Sequence, residues 1–197
     1  MLVCIFDQME QCTDEEVARM LPFVSEQRRN QALQYRHTFG RFACLKTYLM
    51  LCGMLEKENL VFIHTEHGKP QLYDYPEIHF NISHCRNGLA VVTDNAPVGI
   101  DIEAYRPFSR TLLERCMDQT EAECVRKAAF PEQAFAAIWT RKEAVLKLRG
   151  TGLIGNLHQV LHGPEHTATR LCDAKRYACS VSSLQVFSGK PEIIFGK

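Results

Sequence analysis

Val98-Gly99-Ile100-Asp101-Ile102-Glu103 is the segment from which the rest of the chain is best read. Its β-branched residues alternate with small or acidic ones. That predicts a strand with Ile100 and Ile102 entering a core and Asp101 and Glu103 on the opposite face. Two carboxylates at adjacent same-face positions repel each other at neutral pH. The pair is tolerable when solvated, and favourable when a divalent cation sits between the two. An exposed acidic strand end would carry the same pattern, so the pair alone does not choose between these states.

Upstream, residues 61–65, 77–83 and 89–93 are also short, apolar or β-branched, and bounded by Gly, Pro, Asn or Asp, which predicts strands. Before them, a first strand at 2–6 precedes a helix opened by Thr13-Asp14-Glu15-Glu16, read as a capping box. Ser25 is placed to cap an Arg-rich helix, and Phe42, Leu45, Leu49, Cys52 and Leu55 at helical spacing predict a buried helix over 39–56. Downstream, helices are expected at 110–117, 120–129 (with Thr120 and Glu123 as a capping box) and 132–148, with Pro131 at the first helical position. Strands are expected again near 159–162, 177–181 and 193–195. This order predicts an α+β fold of two similar αβ lobes, residues 1–96 and 97–197, jointed near 95–97.

Lys and Arg number 23, as do Asp and Glu, so no global field draws the chain to nucleic acid or a membrane. A site for a polyanion must come from local positive charge. The longest apolar stretch, 42–55, is interrupted by Lys46 and Gly53 and is too short to span a bilayer; the first residues do not read as a signal peptide. Nine scattered cysteines with no CxxC pair suit a reducing, cytoplasmic setting and buried thiols.

Three further blocks carry candidate chemistry. Trp139-Thr140-Arg141-Lys142-Glu143-Ala144-Val145-Leu146-Lys147 puts Glu143 and Lys147 together on one side of a helix, roughly opposite Ala134, Ile138 and Val145. An ordinary solvated i,i+4 pair would look the same. The lone tryptophan one turn earlier and the Gly150-x-Gly152 loop after the helix argue for more. Phe80-Asn81-Ile82-Ser83-His84 ends a strand, and Gly68-Lys69-Pro70 is a turn whose lysine and backbone could grip a phosphate.

In order and spacing, Gly-Lys-Pro, Phe-Asn-Ile-Ser-His, Gly-Ile-Asp-Ile-Glu and Trp-x-x-Lys-Glu-x-x-x-Lys resemble the signature of the phosphopantetheinyl transferase superfamily. The likeness is to its larger, monomeric, surfactin-synthetase-activating branch, and the motifs span 68–152. The resemblance implies two lobes related by a pseudo-twofold axis, with coenzyme A in the cleft between them. It also implies transfer of phosphopantetheine to a serine of an apo acyl or peptidyl carrier protein. Mg²⁺, or Mn²⁺, would be held by Asp101, Glu103 and Glu143. Lys147 would contact the pyrophosphate, and Glu143 would also be a general base. Arg28, Arg41, Lys69, Pro70, Ser83 and His84 would take the rest of coenzyme A, and Glu121 matches a further family glutamate near the metal. Gln31, where the family usually has a basic residue, and Cys85, where it commonly has serine, depart from the pattern. The carrier is expected to dock near 103–120, which holds Arg106, Arg110 and Arg115. A catalytically degenerate binder of coenzyme A or carrier, and a Mg²⁺-dependent phosphoester hydrolase, are the competing readings. The latter leaves the Gly-Lys-Pro and Asn-Ile-Ser-His blocks without a purpose.

Overall fold

The computed structural model describes residues 1–152, 156–187 and 192–195. Strand β1 (Leu2–Phe6) leads into helices α1 (Asp14–Met20), α2 (Glu26–Leu33) and α3 (Thr38–Leu55). The hydroxyls of Thr13 and Ser25 cap the first two, accepting from the Glu16 and Arg28 backbone N–H groups. A small hairpin, β2 (Phe62–His64) with β3 (Pro70–Leu72), precedes β4 (His79–Cys85), β5 (Gly88–Asp94) and β6 (Val98–Ala104). Helices α4 (Arg110–Cys116), α5 (Gln119–Lys127) and α6 (Pro131–Arg149) follow. Strands β7 (His166–Cys172), β8 (Tyr177–Ser183) and β9 (Glu192–Phe195) complete the order.

The expected α+β architecture of two similar lobes is present, and its symmetry lies in the strand order. In the first lobe a strand (β1) is followed by helices and an antiparallel hairpin (β4–β5), with sheet order β4-β5-β1. In the second, β6 is followed by helices and the hairpin β7–β8, with order β7-β8-β6. Each time the first strand pairs with the third. Strand β9 then returns to the first sheet and runs parallel to β1, Leu2 opposite Glu192.

Strand alternation distributes the core. Cys4 and Phe6 of β1 face α1–α3, packing with Phe42, Leu45 and Leu51. Val3 and Ile5 face the other way, against Val98, Ile100 and Ile102 of β6 and Tyr177, Cys179 and Val181 of β8. The two sheets therefore share an apolar layer, and the opposite face of β6 is left for Gly99, Asp101 and Glu103 under helix α6. Among the described residues no helix is long and apolar enough to cross a membrane, and none of the nine cysteines is in a disulfide.

Several local expectations are corrected. Residues 159–162 belong to a 3-10 helix, Leu157–His162, capped by the Asn156 side chain. The capping box of α5 is Asp118 with Glu121, two residues earlier than Thr120 and Glu123. Strands β3 and β7 were not signalled by their composition, which is short and proline-led in one case and largely exposed in the other.

Candidate active site

Helix α6 lies directly on β6 because Gly99 has no side chain. A Cβ there would fall within 2.6 Å of the Leu148 backbone nitrogen and still closer to the Ala144 carbonyl oxygen. Glu143 and Lys147 immediately precede those two residues, so the close approach delivers both side chains to the acidic face of β6. Gly150 ends the helix in the left-handed region at φ 71°, its N–H bonded to the Leu146 carbonyl.

Asp101 is buried, with 4% of its surface exposed. Its Oδ1 accepts from Lys147 Nζ at 2.7 Å and from Ser83 Oγ at 2.7 Å. Lys147 Nζ also donates to Ser83 Oγ at 2.8 Å, and Ser83 Oγ accepts from the Ile102 N–H. Asp101 Oδ2 is buried without a hydrogen-bond partner. Burial pushes the Glu143 carboxyl up, and the negative charges of Asp101 and Glu103 add to this, against the pull of Lys147. Glu103 is raised by burial and by Asp101, and lowered by Arg106, Lys147 and a hydrogen bond from the Trp139 side chain. Trp139 also packs on the apolar cluster of Leu113, Val125 and Phe135, its ring stacked on that of Phe135.

Among the described residues no three His, Cys, Asp or Glu side chains form a ready cage for a metal. The donor set nonetheless fits a hard cation. It offers an orphaned carboxylate oxygen and two further carboxyls held above their ordinary range by burial and like charge, all oxygen ligands. Mg²⁺ keeps several waters and takes one or two carboxylates together with substrate phosphates, so it does not need a closed protein cage.

A cleft of about 400 Å³ runs between the lobes, lined by Lys69, Pro70, Asn81, Glu143, Lys147 and Gly150 among others. A second, of about 460 Å³, is lined by Arg28, Arg36, His37, His64, Pro70 and His84 among others. Pro70 and Ile82 border both, so the two clefts adjoin there, one holding Glu143 and Lys147 and the other Arg28 and His84. There the Arg28 guanidinium is fixed by the Cys44 carbonyl (2.9 Å), Gln31 Oε1 (2.9 Å) and Thr47 Oγ1 (3.4 Å), 5.0 Å from the Phe62 ring. Arg41 donates Nε to the Tyr35 carbonyl. His84, edge-on to Phe39, is held below its ordinary pKa by burial and the charge of Lys147.

Lys69 crosses between lobes. Its Nζ donates to the carbonyls of Leu148 (3.0 Å) and Val98 (3.4 Å), and burial lowers its pKa. Asn81 Oδ1 accepts from the Ile100 N–H at 3.0 Å, as Ser83 does from Ile102, so side chains of β4 stitch onto the backbone of β6. Glu121 lies elsewhere: its Oε2 meets the fully buried Lys142 Nζ at 2.6 Å and the Asp118 N–H at 2.8 Å. Lys142 also donates to the Leu157 carbonyl.

Residues 97–189 match the family model of the 4'-phosphopantetheinyl transferase superfamily. The chain is 30% identical over 149 residues to the 4'-phosphopantetheinyl transferase Sfp of Bacillus subtilis (strain 168), covering 72% of this chain and 66% of that protein. It is 29% identical over 147 residues to the 4'-phosphopantetheinyl transferase psf-1 of Bacillus pumilus, covering 71% and 63%. Similarity to the 4'-phosphopantetheinyl transferase AcpT of Salmonella typhimurium is 38% over 94 residues, covering 45% and 48%. The match thus spans a little under two thirds of the Bacillus proteins' length. At this moderate identity the chain is homologous to the phosphopantetheinyl transferases.

Proposed function

We propose that this protein transfers the phosphopantetheine arm of coenzyme A to a serine of an apo acyl or peptidyl carrier protein, acting as a cytoplasmic monomer of the surfactin-synthetase-activating type. The observation that carries the reading is the pair of adjoining clefts that share Pro70 and Ile82, one lined by Glu143 and Lys147 and the other by Arg28 and His84. Their polar groups suit a ligand with a diphosphate in the middle and a phosphorylated nucleoside at its end. In this reading the lobe of residues 1–96 takes the adenine and 3'-phosphate through Arg28, Arg41, Lys69, Pro70 and His84. The lobe of residues 97–197 carries the chemistry.

Asp101, Glu103 and Glu143 would hold Mg²⁺, or Mn²⁺ with the same oxygen ligands. When bound, the ion neutralises charge on the diphosphate and orients it. Ser83 keeps Asp101 in place through its hydroxyl. The carrier serine oxygen bonds to the phosphorus bearing pantetheine, and the bond from that phosphorus to the bridging oxygen breaks. Adenosine 3',5'-bisphosphate leaves. Glu143 accepts the serine proton, directly or through a bound water. Lys147 stands beside the leaving oxygen and offsets its growing charge.

The test incubates the purified chain with coenzyme A, Mg²⁺ and a panel of apo carriers, followed by intact mass of each carrier. A gain of one phosphopantetheine is expected, and its loss in folded Asp101→Ala and Glu143→Ala variants. No gain on any carrier overturns the proposal. Free phosphopantetheine without carrier would mark a hydrolase, and coenzyme A binding without turnover a degenerate relative.

A further inference from the structure

Lys147 is already occupied. Its ammonium sits 2.7 Å from Asp101 Oδ1 and 2.8 Å from Ser83 Oγ, at the edge of the acidic wall. Asp101 is almost completely enclosed while the lysine keeps 29% of its side chain exposed, so the carboxylate is fixed and the cation has room to leave. Lys147 also lines the interlobe cleft, and a rotation of its flexible stem is enough to carry the charge from Asp101 toward that space. Asp101 and Glu103 under α6 and Glu143 on it act on one another as like charges and need positive charge nearby. Among the described ion pairs Lys147 is the one that supplies it to Asp101.

We propose that Lys147 is a stand-in cation: it neutralises Asp101 while no divalent ion is bound, and gives up that oxygen when the ion and a diphosphate arrive together. This inference rests on the reading of Asp101, Glu103 and Glu143 as metal ligands. An ion arriving alone has to displace or tolerate an ammonium at 2.7 Å from its ligand. A diphosphate offers that ammonium a new partner, so the two ligands favour each other's binding. Linkage makes the effect reciprocal: the diphosphate binds more tightly with the ion present, by the same factor. The lysine thereby discourages the site from filling with metal before substrate is there.

The experiment titrates Mn²⁺ into wild type and Lys147→Met by electron paramagnetic resonance, first without nucleotide and then with saturating coenzyme A. Methionine keeps the apolar stem and removes the charge. Without nucleotide, the variant is expected to bind Mn²⁺ at least about tenfold more tightly, the lower end of what one neighbouring unit charge does to an equilibrium. Coenzyme A should tighten Mn²⁺ binding to wild type and do so much less for the variant. Equal or weaker Mn²⁺ binding by folded Lys147→Met overturns the proposal, as does absence of Mn²⁺ binding in both proteins. Lys147→Gln replaces it should the methionine variant not fold, judged by circular dichroism. The outcomes separate the two readings. Tightened Mn²⁺ binding in a protein that loads no carrier keeps the stand-in cation and removes the transferase. Carrier loading with unchanged Mn²⁺ binding does the reverse.

Discussion

Glu143 is the residue on which the electrostatics of the site converge. Burial first, then Asp101 and Glu103, raise its carboxyl pKa above the ordinary 4.5. A folded-state value above the unfolded one means that folding favours the protonated form. The resulting cost to stability is present at pH above the raised value and disappears as the pH falls below about 4.5. In metal-free buffer, Glu143→Gln should therefore melt at a higher temperature than wild type at pH 8, with the gap closing toward pH 4. Thermal melts followed by circular dichroism check this; a gap independent of pH would show that the carboxyl carries no such burden. The helical period puts Glu143 roughly opposite Ala134, Ile138 and Val145 but does not show where its neighbour Lys142 lies. In the fold Lys142 is wholly buried against Glu121, whereas Glu143 lines the cleft. A periodic pattern cannot reveal a buried lysine whose partner lies on another helix.

The approach of α6 to β6 is the element-level condition for the site. Gly99→Val would press a branched side chain into the backbone at Ala144 and Leu148. A loss of about 1–3 kcal/mol in folding stability is expected from such overpacking, together with weaker Mn²⁺ binding as Glu143 and Lys147 shift from Asp101. Urea denaturation and Mn²⁺ titration measure the two effects, and full retention of both would refute the positioning role. A glycine inside a strand pattern is a readable hint of close backbone approach, but what approaches is set by tertiary packing. The same division holds elsewhere. Strand β6 was legible from alternation, β1, β4 and β5 from short apolar or β-branched runs bounded by polar or turn residues, and α1 and α2 from their caps. Strand β7 was not, because His166-Thr167-Ala168-Thr169-Arg170 offers little apolar contrast. Val160-Leu161 invited a strand, yet the Asn156 cap winds that segment into a 3-10 helix.

Across the whole molecule, the lobes meet through a shared apolar layer and a few polar stitches. Asn81→Ala would leave the buried Ile100 N–H without its acceptor, costing about 1–3 kcal/mol. Because the adjoining clefts draw on both lobes, coenzyme A binding should weaken as well. An unchanged denaturation midpoint would mean that the stitch is dispensable. The order of elements already suggested two lobes, but the twofold relation between them entered the sequence reading through resemblance, since the repeat is one of strand order and not of residues. The bonds that Asn81 and Lys69 make across the lobes were not legible from sequence, because a polar side chain in a strand or turn does not declare its partner.

Strand β9 docks beside β1, pairing Leu2 with Glu192 across the intervening chain. During synthesis β1 emerges well before β9, and its outer edge stays unpaired until the residues between them have been made. An open row of backbone donors and acceptors invites pairing with another chain. The interval before the last strand arrives is thus when a newborn polypeptide of this design is most exposed to sticking to its neighbours, and slow elongation through the second lobe would lengthen that interval.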